Sequence, residues 1–295
     1  MNIRKRDGRT VPFDRKKIEN AIFKAYKSLD REPEDGFIEK MAQSIENMVI
    51  EKFPSNHVVT VEEIQDLVEI TLIENRQYEV VKSYILYRAQ HTMNRKVVEK
   101  FEEHITDENV LEIIKNIQVD FDRTHYDIDQ LYMKWFSFLK TNMTQDQYLK
   151  ALVKAAAELT SKESPDWEYI SARFLVYETN KTIEENIKDL GIVDFKSKLK
   201  VLTDMNLYGK YMLEAYSDED LDELEGHMVH ERDKLFNYSG LDLVVKRYLI
   251  KDSEGNLLET VQEMFMGIAM HLAIPEGDKK VAFAKKLYDI LSQLK

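Results

Sequence analysis

Residues 3–22 read IRKRDGRTVPFDRKKIENAI, and this stretch decides the fold of the first part of the chain. Its first half alternates apolar and polar residues around Asp7-Gly8, a dipeptide that tolerates the positive backbone angles of a tight two-residue turn. The pattern therefore predicts a β-hairpin. Asp14 then precedes apolar residues at helical spacing, which indicates the N-cap of an amphipathic helix with Ile18, Ala21, Ile22 and Ala25 on its inner face.

Three more helices are predicted in this first unit. One covers about residues 35–52 and is ended by Pro54 and Asn56. Thr60, with a glutamate three positions later, forms a capping box that starts the next helix. The last of the three covers about residues 76–93. One hairpin and four helices make a compact unit of roughly 90 residues, within the usual size range of a domain.

The rest of the chain also has the composition of helices. Only nine Gly and five Pro interrupt a sequence of 295 residues that is rich in helix-forming side chains. Residues 78–86 and 167–175 look alike, which suggests a partial internal repeat that lacks the hairpin. We therefore divide the chain into units at 1–93, 94–178 and 179–295, and we predict a mainly α fold.

Composition excludes several classes of function. The formal net charge of -12 gives a surface that repels a phosphate backbone, so nucleic acid is not an expected partner. The sequence has no apolar run near 18 residues and no signal-peptide core, so we expect a cytoplasmic protein without membrane contact. The chain has no cysteine, which excludes disulfides, thiolate metal sites and a thiyl radical within it. Its seven histidines lack metal-binding spacing, so no metal site is predicted.

Three cations near the start of the chain are candidates for holding a phosphate group. Lys5, Arg6 and Lys17 would converge if the hairpin lies across the start of the first helix. Unpaired backbone N–H groups and the helix dipole would also favour an anion there, so the place suits a triphosphate. The alternative is a solvated basic edge, which the pattern alone favours because short basic runs at helix starts are common.

The same stretch carries a resemblance to a known family. Residues 3–22 resemble the ATP-cone, the allosteric nucleotide-binding module of ribonucleotide reductases and of their transcriptional repressor, and the resemblance extends to about residue 93. Gln65 departs from the His or Asp that often stands there, so the strength of discrimination between ATP and dATP is left open. By resemblance, Lys5 and residues 11–17 contact the nucleotide, with Lys17 on the phosphates. Thr60 or Val61 closes the site from the third helix, although Thr60 can equally be only an N-cap, and a basic residue near Arg88 or His91 lies on the fourth. The candidate site residues are therefore Lys5, Arg6, Val11, Pro12, Phe13, Asp14, Arg15, Lys16, Lys17, Ile18, Thr60, Val61, Gln65, Arg88 and His91.

Residues 227–266 resemble the helical region of class I reductase large subunits, which leads into the catalytic barrel of the family. Two positions depart from the family pattern, because Val261 replaces a frequent Pro and Gly267 stands where an Arg is common. The ten-stranded barrel itself, with its redox cysteines and radical cysteine, is missing from the chain. We therefore expect no redox cofactor in this chain and no catalysis by the chain alone.

The resemblance implies that the chain is an allosteric regulatory part of the reductase large subunit. It would bind ATP, which permits activity, and dATP, which switches activity off, with Mg²⁺ accompanying the nucleotide. The expected partners are the catalytic barrel part of the large subunit, the small radical-generating subunit and further copies of the cone. The alternative is a helical adaptor that binds no nucleotide and keeps the cone as a docking surface.

Overall fold

The computed structural model describes residues 2–6, 8–54 and 57–294, and the fold is mainly α as predicted. The chain forms two compact units, Met1–Lys96 and Val97–Lys295. In the described ranges, no helix combines the length and the apolar character needed to cross a membrane. The finer division at residues 93 and 178 stays a prediction.

A small sheet lies at the start of the first unit. It consists of β1 (Asn2–Arg4), β2 (Thr10–Pro12) and β3 (Val59–Thr60), in the order β2-β1-β3. β2 runs antiparallel to β1 and forms the predicted hairpin with it. β3 runs parallel to β1, with Arg4 opposite Thr60. The sequence did not predict β3, because two residues are too short for an alternating pattern.

The turn of the hairpin differs from the predicted two-residue turn. The Lys5 N–H donates to the Arg9 carbonyl at 2.8 Å, and the Gly8 N–H donates to the Lys5 carbonyl at 3.0 Å. Three residues therefore lie between Lys5 and Arg9. Gly8 has a φ of 81°, the left-handed conformation that such three-residue connections require at their last position. Asp7, on which the prediction also rested, lies outside the described residues.

Four helices accompany the sheet, as the sequence predicted, and the last of them continues past the end of the first unit at Lys96. Asp14 caps the first of them by accepting the Lys16 N–H at 3.1 Å. The capping box at Thr60 is confirmed, because its hydroxyl accepts the Glu63 N–H at 3.2 Å and the Glu63 carboxylate accepts the Thr60 N–H at 2.7 Å. The helices are α1 (Arg15–Lys27), α2 (Phe37–Lys52), α3 (Val61–Glu74) and α4 (Tyr78–His104).

One helix end differs from the prediction. α4 continues to His104, beyond the predicted end near Met93, because no glycine or proline interrupts the sequence there. α2 ends at Lys52, as predicted, although Asn56 lies outside the described residues. The inner faces of all four helices meet in one core, whose most deeply buried members include Ile22, Ala42, Ile45, Leu72 and Val80.

The second unit is built from further helices around one continuous core. Trp135 and Trp167 are 0% and 1% exposed and lie in this core, so Trp167 is a packing residue as the sequence indicated. Helix α8 spans the predicted boundary at residue 178. The helices are α5 (Glu108–Asp120), α6 (Ile128–Phe136), α7 (Gln145–Glu158), α8 (Trp167–Ile187), α9 (Phe195–Asp204), α10 (Lys210–Ala215), α11 (Asp218–Glu225), α12 (Tyr238–Arg247), α13 (Val261–Ala273) and α14 (Lys280–Ser292), with 3₁₀ helices at His230–Leu235 and Ile274–Lys279.

A buried polar cluster explains one of the departures from the family pattern. The Lys198 Nζ donates to both carboxylate oxygens of Glu263 at 2.7 and 2.8 Å. The Tyr208 hydroxyl donates to Glu259 at 3.4 Å, and burial raises the pKa of Glu259 to about 7. Any side chain at position 267 would clash with the Tyr208 hydroxyl. Gly267 therefore leaves the room that this tyrosine occupies.

Candidate functional site

A cavity of about 230 Å³ lies in the first unit, where β1, α1, α3 and α4 meet. Its polar lining includes Lys5 from the end of β1 and Lys17 from the first turn of α1. Their presence in one lining supports the predicted convergence of these two cations. Seven of the predicted site residues line the cavity: Lys5, Phe13, Asp14, Lys17, Ile18, Val61 and Gln65.

The two lysines differ in their surroundings. Lys5 is half-buried, and its backbone is fixed by the hydrogen bond to Arg9 that closes the hairpin. The Lys17 side chain is 65% exposed, and its Nζ lies 3.9 Å from the Asp14 Oδ2. At that distance and exposure, the ion pair holds Lys17 only weakly. Lys17 is therefore free to turn toward an anion at the mouth of the cavity.

The start of α1 is less open to an anion than the sequence suggested. The Asp14 carboxylate accepts the Lys16 N–H, and the Asp14 carbonyl accepts the Lys17 N–H at 3.1 Å. Two of the backbone donors expected for a phosphate therefore already have partners. A phosphate group at this place would depend on the lysine side chains, and the Asp14 carboxylate would oppose it.

Arg6 does not join the two lysines in the lining of this cavity. Its guanidinium pairs with Glu62 and donates to the Gln65 Oε1 at 2.9 Å. Because Arg6 uses the amide oxygen of Gln65, the NH₂ group of Gln65 is the part left to act as a donor toward the cavity. Arg6 thereby connects to the site through Gln65.

The remaining predicted residues have partners outside the cavity lining. Arg15 pairs with Glu19 and Glu46 at 3.3 and 3.5 Å. Arg88 lies 2.7 Å from both Asp66 and Glu69. The other residues outside the lining are Val11 and Pro12 in β2, Lys16 in α1, Thr60 as the N-cap of α3, and His91, whose ring lies 4.1 Å from that of Tyr87.

Sequence reasoning missed five residues of the lining, most of them apolar. Helical spacing marks these residues as buried but does not reveal that they border a cavity. Burial raises the pKa of Tyr84 to about 12, so its phenol stays neutral and can both donate and accept a hydrogen bond. The missed residues are Ile3, Ala21, Ile64, Val68 and Tyr84.

Comparisons with known proteins agree with this architecture. Residues 1–93 match the ATP cone domain, and residues 234–295 match the all-alpha domain of ribonucleotide reductase. The ribonucleoside-diphosphate reductase subunit alpha of Treponema pallidum is 38% identical over 297 residues, which cover 100% of this chain and 35% of that protein.

Two further relatives bear the same name. The subunit alpha of Enterobacteria phage T4 is 32% identical over 181 residues, which cover 61% of this chain and 24% of the relative. The reductase 1 subunit alpha of Escherichia coli is 24% identical over 166 residues, which cover 56% of this chain and 21% of the relative. The chain thus spans about a third or less of the length of these relatives. It belongs to the ribonucleoside-diphosphate reductase alpha-subunit family, of which it contains the ATP cone and the all-alpha domain and not the catalytic barrel.

Proposed function

We propose that the first unit binds ATP and dATP in the 230 Å³ cavity and acts as the allosteric regulatory part of a ribonucleoside-diphosphate reductase alpha subunit. The observation that carries this proposal is the juxtaposition of two lysines with an apolar pocket. Lys5 and Lys17 can meet phosphates, while Ile64, Val68 and Tyr84 offer a wall for a base.

The size of the cavity suggests how a nucleotide would lie. Small-molecule sites commonly measure roughly 300–1,000 Å³, so a cavity of about 230 Å³ would enclose only part of the nucleotide. We place the base against the apolar wall and the phosphates at the mouth, beside Lys17. Gln65 would then offer its NH₂ group to the base or sugar, and its neutral side chain would not add charge to the site.

Mg²⁺ would enter with the phosphates. In the described ranges, no group of three acidic or histidine side chains is placed to hold a metal ion. Protein sites for Mg²⁺ often supply only one or two carboxylates, with the other ligands from phosphates and water. Asp14 is the carboxylate that lines the cavity, so it is the residue we assign to this role.

The regulatory effect would be a shift between assemblies. By analogy with the family, ATP would permit activity and dATP would stop it, through contacts among cones, the catalytic part of the large subunit and the small radical-generating subunit. A tenfold preference for one assembly needs only about 1.4 kcal/mol of differential binding. A small difference in how the two nucleotides contact Gln65 or Lys5 could supply this.

A thermal melt tests nucleotide binding directly. We expect ATP and dATP, each at about a hundred times its dissociation constant, to stabilise the chain by roughly 2.7 kcal/mol, because only the folded cavity binds them. The measurement is a circular dichroism melt with and without nucleotide, and inorganic phosphate at the same ionic strength is the control. Unchanged melting with both nucleotides would instead favour the helical adaptor that binds no ligand.

Association of the chain should depend on which nucleotide is bound. ATP and dATP differ at one ribose hydroxyl, so a cone that distinguishes them should expose different surfaces for self-association. We expect sedimentation velocity profiles in ATP and in dATP to differ at high protein concentration. The Lys17→Ala variant, which we expect not to bind either nucleotide, should give one profile in both. Identical profiles of the unsubstituted chain at all concentrations would contradict the predicted switch.

A further inference from the structure

A second cavity, of about 260 Å³, lies within the second unit. It is bordered by α5, by α8 and by the 3₁₀ helix His230–Leu235. Its lining combines a half-buried arginine, a buried aspartate and two asparagines with an apolar wall. Neither the predicted nucleotide site nor the family matches account for this combination of side chains in one cavity.

Arg173 supplies an unused hydrogen-bond donor beside the cavity. Its Nη1 donates to the Asp120 Oδ2 at 2.7 Å, and its guanidinium lies 5.0 Å from the centre of the Phe121 ring. These contacts fix the position of the side chain. The Nε of Arg173 is buried and has no hydrogen-bond partner among the described residues. A buried donor without an acceptor is costly, so an acceptor arriving in the cavity would be bound favourably.

Asp233 supplies an acceptor on another side of the same cavity. The residue is 4% exposed, and its Oδ1 accepts the Gln262 Nε2 at 2.7 Å. Burial raises the pKa of Asp233, which shows that its charge is poorly solvated. Its second oxygen has no hydrogen-bond partner in the part of the chain that the structure describes. A ligand N–H group could satisfy this oxygen.

The charges around the cavity argue against an anionic ligand. Arg173 is paired with Asp120, and Lys234 is paired with Glu231, so each cation is neutralised by its own partner. Asp233 adds a further carboxylate. Phosphates would therefore meet net negative charge, unlike at the cavity that Lys5 and Lys17 line. A neutral ligand meets no such opposition.

The other walls favour a flat ligand of small size. Ile113, Val176 and the Tyr177 ring provide apolar surface. The Tyr177 hydroxyl donates to Asp107 at 2.6 Å, so the ring is held in place. Asn180 is half-buried and its side chain makes no hydrogen bond within the described ranges, so its amide can serve as donor and acceptor at the edge of a ligand.

We propose that this cavity binds a small, planar, uncharged ring that carries both a C=O group and an N–H group. The C=O accepts the Arg173 Nε–H, and the N–H donates to the free oxygen of Asp233. The ring lies against Val176 and Tyr177. This site is independent of the nucleotide cavity of the first unit, and it excludes free phosphate.

Calorimetry with uracil tests the proposal, because uracil is flat and neutral and has the required pair of groups. We expect saturable binding by the full chain, with a dissociation constant on the order of 1 mM, which is typical of such a small ligand. The matched ligand is 1,3-dimethyluracil, which keeps the shape and the carbonyls but has no N–H donor. It should bind at least about tenfold more weakly, and inorganic phosphate should not compete with uracil.

Two variants locate the site. Arg173→Lys keeps a cation beside Asp120 but removes the Nε–H, and Asp233→Asn removes the charged acceptor, so each should weaken uracil binding by about tenfold or more. Arg247→Lys makes the same type of change at an exposed position in α12 and should have no effect. Circular dichroism must show each variant folded. Failure of uracil to bind, equal binding of dimethyluracil, or unchanged binding by both folded variants would overturn the proposal.

Discussion

Replacing Lys17 with Ala is expected to abolish saturable ATP binding, as measured by titration calorimetry on the full chain. Of the described residues, Lys5 and Lys17 are the cations that line the proposed nucleotide cavity, so the site has few substitutes for a lost lysine. A charge-assisted contact to phosphate contributes about 1.5–3 kcal/mol, and the loss of Lys17 would remove this contribution. Arg6 cannot readily replace Lys17, because Glu62 and Gln65 already engage it.

Two further variants test whether the loss of binding is specific to the lysines of the cavity. The double change Lys5→Ala with Lys17→Ala should leave no measurable binding. Lys24→Ala removes an exposed lysine from the last turn of the same helix and should bind ATP as the unsubstituted chain does. Because all three changes replace exposed or half-buried lysines, folding should survive them, and circular dichroism checks this. A specific nucleotide site in the folded double variant would show that another part of the chain, such as the second unit, binds nucleotide.

The purified chain is expected not to reduce ribonucleotides, even with a small subunit and a dithiol reductant. Reduction in this family depends on a thiyl radical and a pair of redox cysteines, and the chain has no cysteine. We therefore expect no turnover, with or without nucleotide effectors. Conversion of a labelled ribonucleoside diphosphate to its deoxy form, followed by chromatography, measures this.

A complementation experiment gives the reductase assay a positive control. If a separate polypeptide carries the catalytic barrel, mixing it with this chain should restore turnover, and ATP and dATP should then alter the rate in opposite directions. Turnover by the chain without such a polypeptide would contradict the prediction. Restored turnover without any nucleotide effect would instead show that the cone does not regulate the assembled enzyme.

Local sequence rules predicted the four helices of the first unit and little of the geometry between them. The N-cap at Asp14 and the capping box at Thr60 depend on contacts within one helical turn, and both are present. β3 and the true end of α4 were missed for the opposite reason. β3 exists only because its two residues pair with β1, which is distant in sequence, and no local signal predicts such a pair.

For the candidate site too, the sequence predicted which residues take part but not the contacts that depend on tertiary packing. The family resemblance selected Lys5, Lys17 and Gln65, and the structure places all three in one cavity. The resemblance could not predict that Arg6 pairs with Glu62 on α3, because this contact depends on how the hairpin packs. Nor could apolar periodicity distinguish Tyr84, which borders the cavity, from the other buried residues of the core.

The pairing of β1 with β3 makes the proposed nucleotide site depend on a contact between residues that are distant in sequence. Arg4 lies opposite Thr60, so the strand that precedes Lys5 is held against the start of α3 only after the intervening chain has closed into a loop. Closing such a loop costs conformational entropy before the contacts that it permits can form. A peptide of the hairpin and α1 alone should therefore not bind ATP, although it contains both lysines. Substitutions that loosen the core far from the cavity should lower the apparent affinity for ATP in proportion to the folded fraction that they remove.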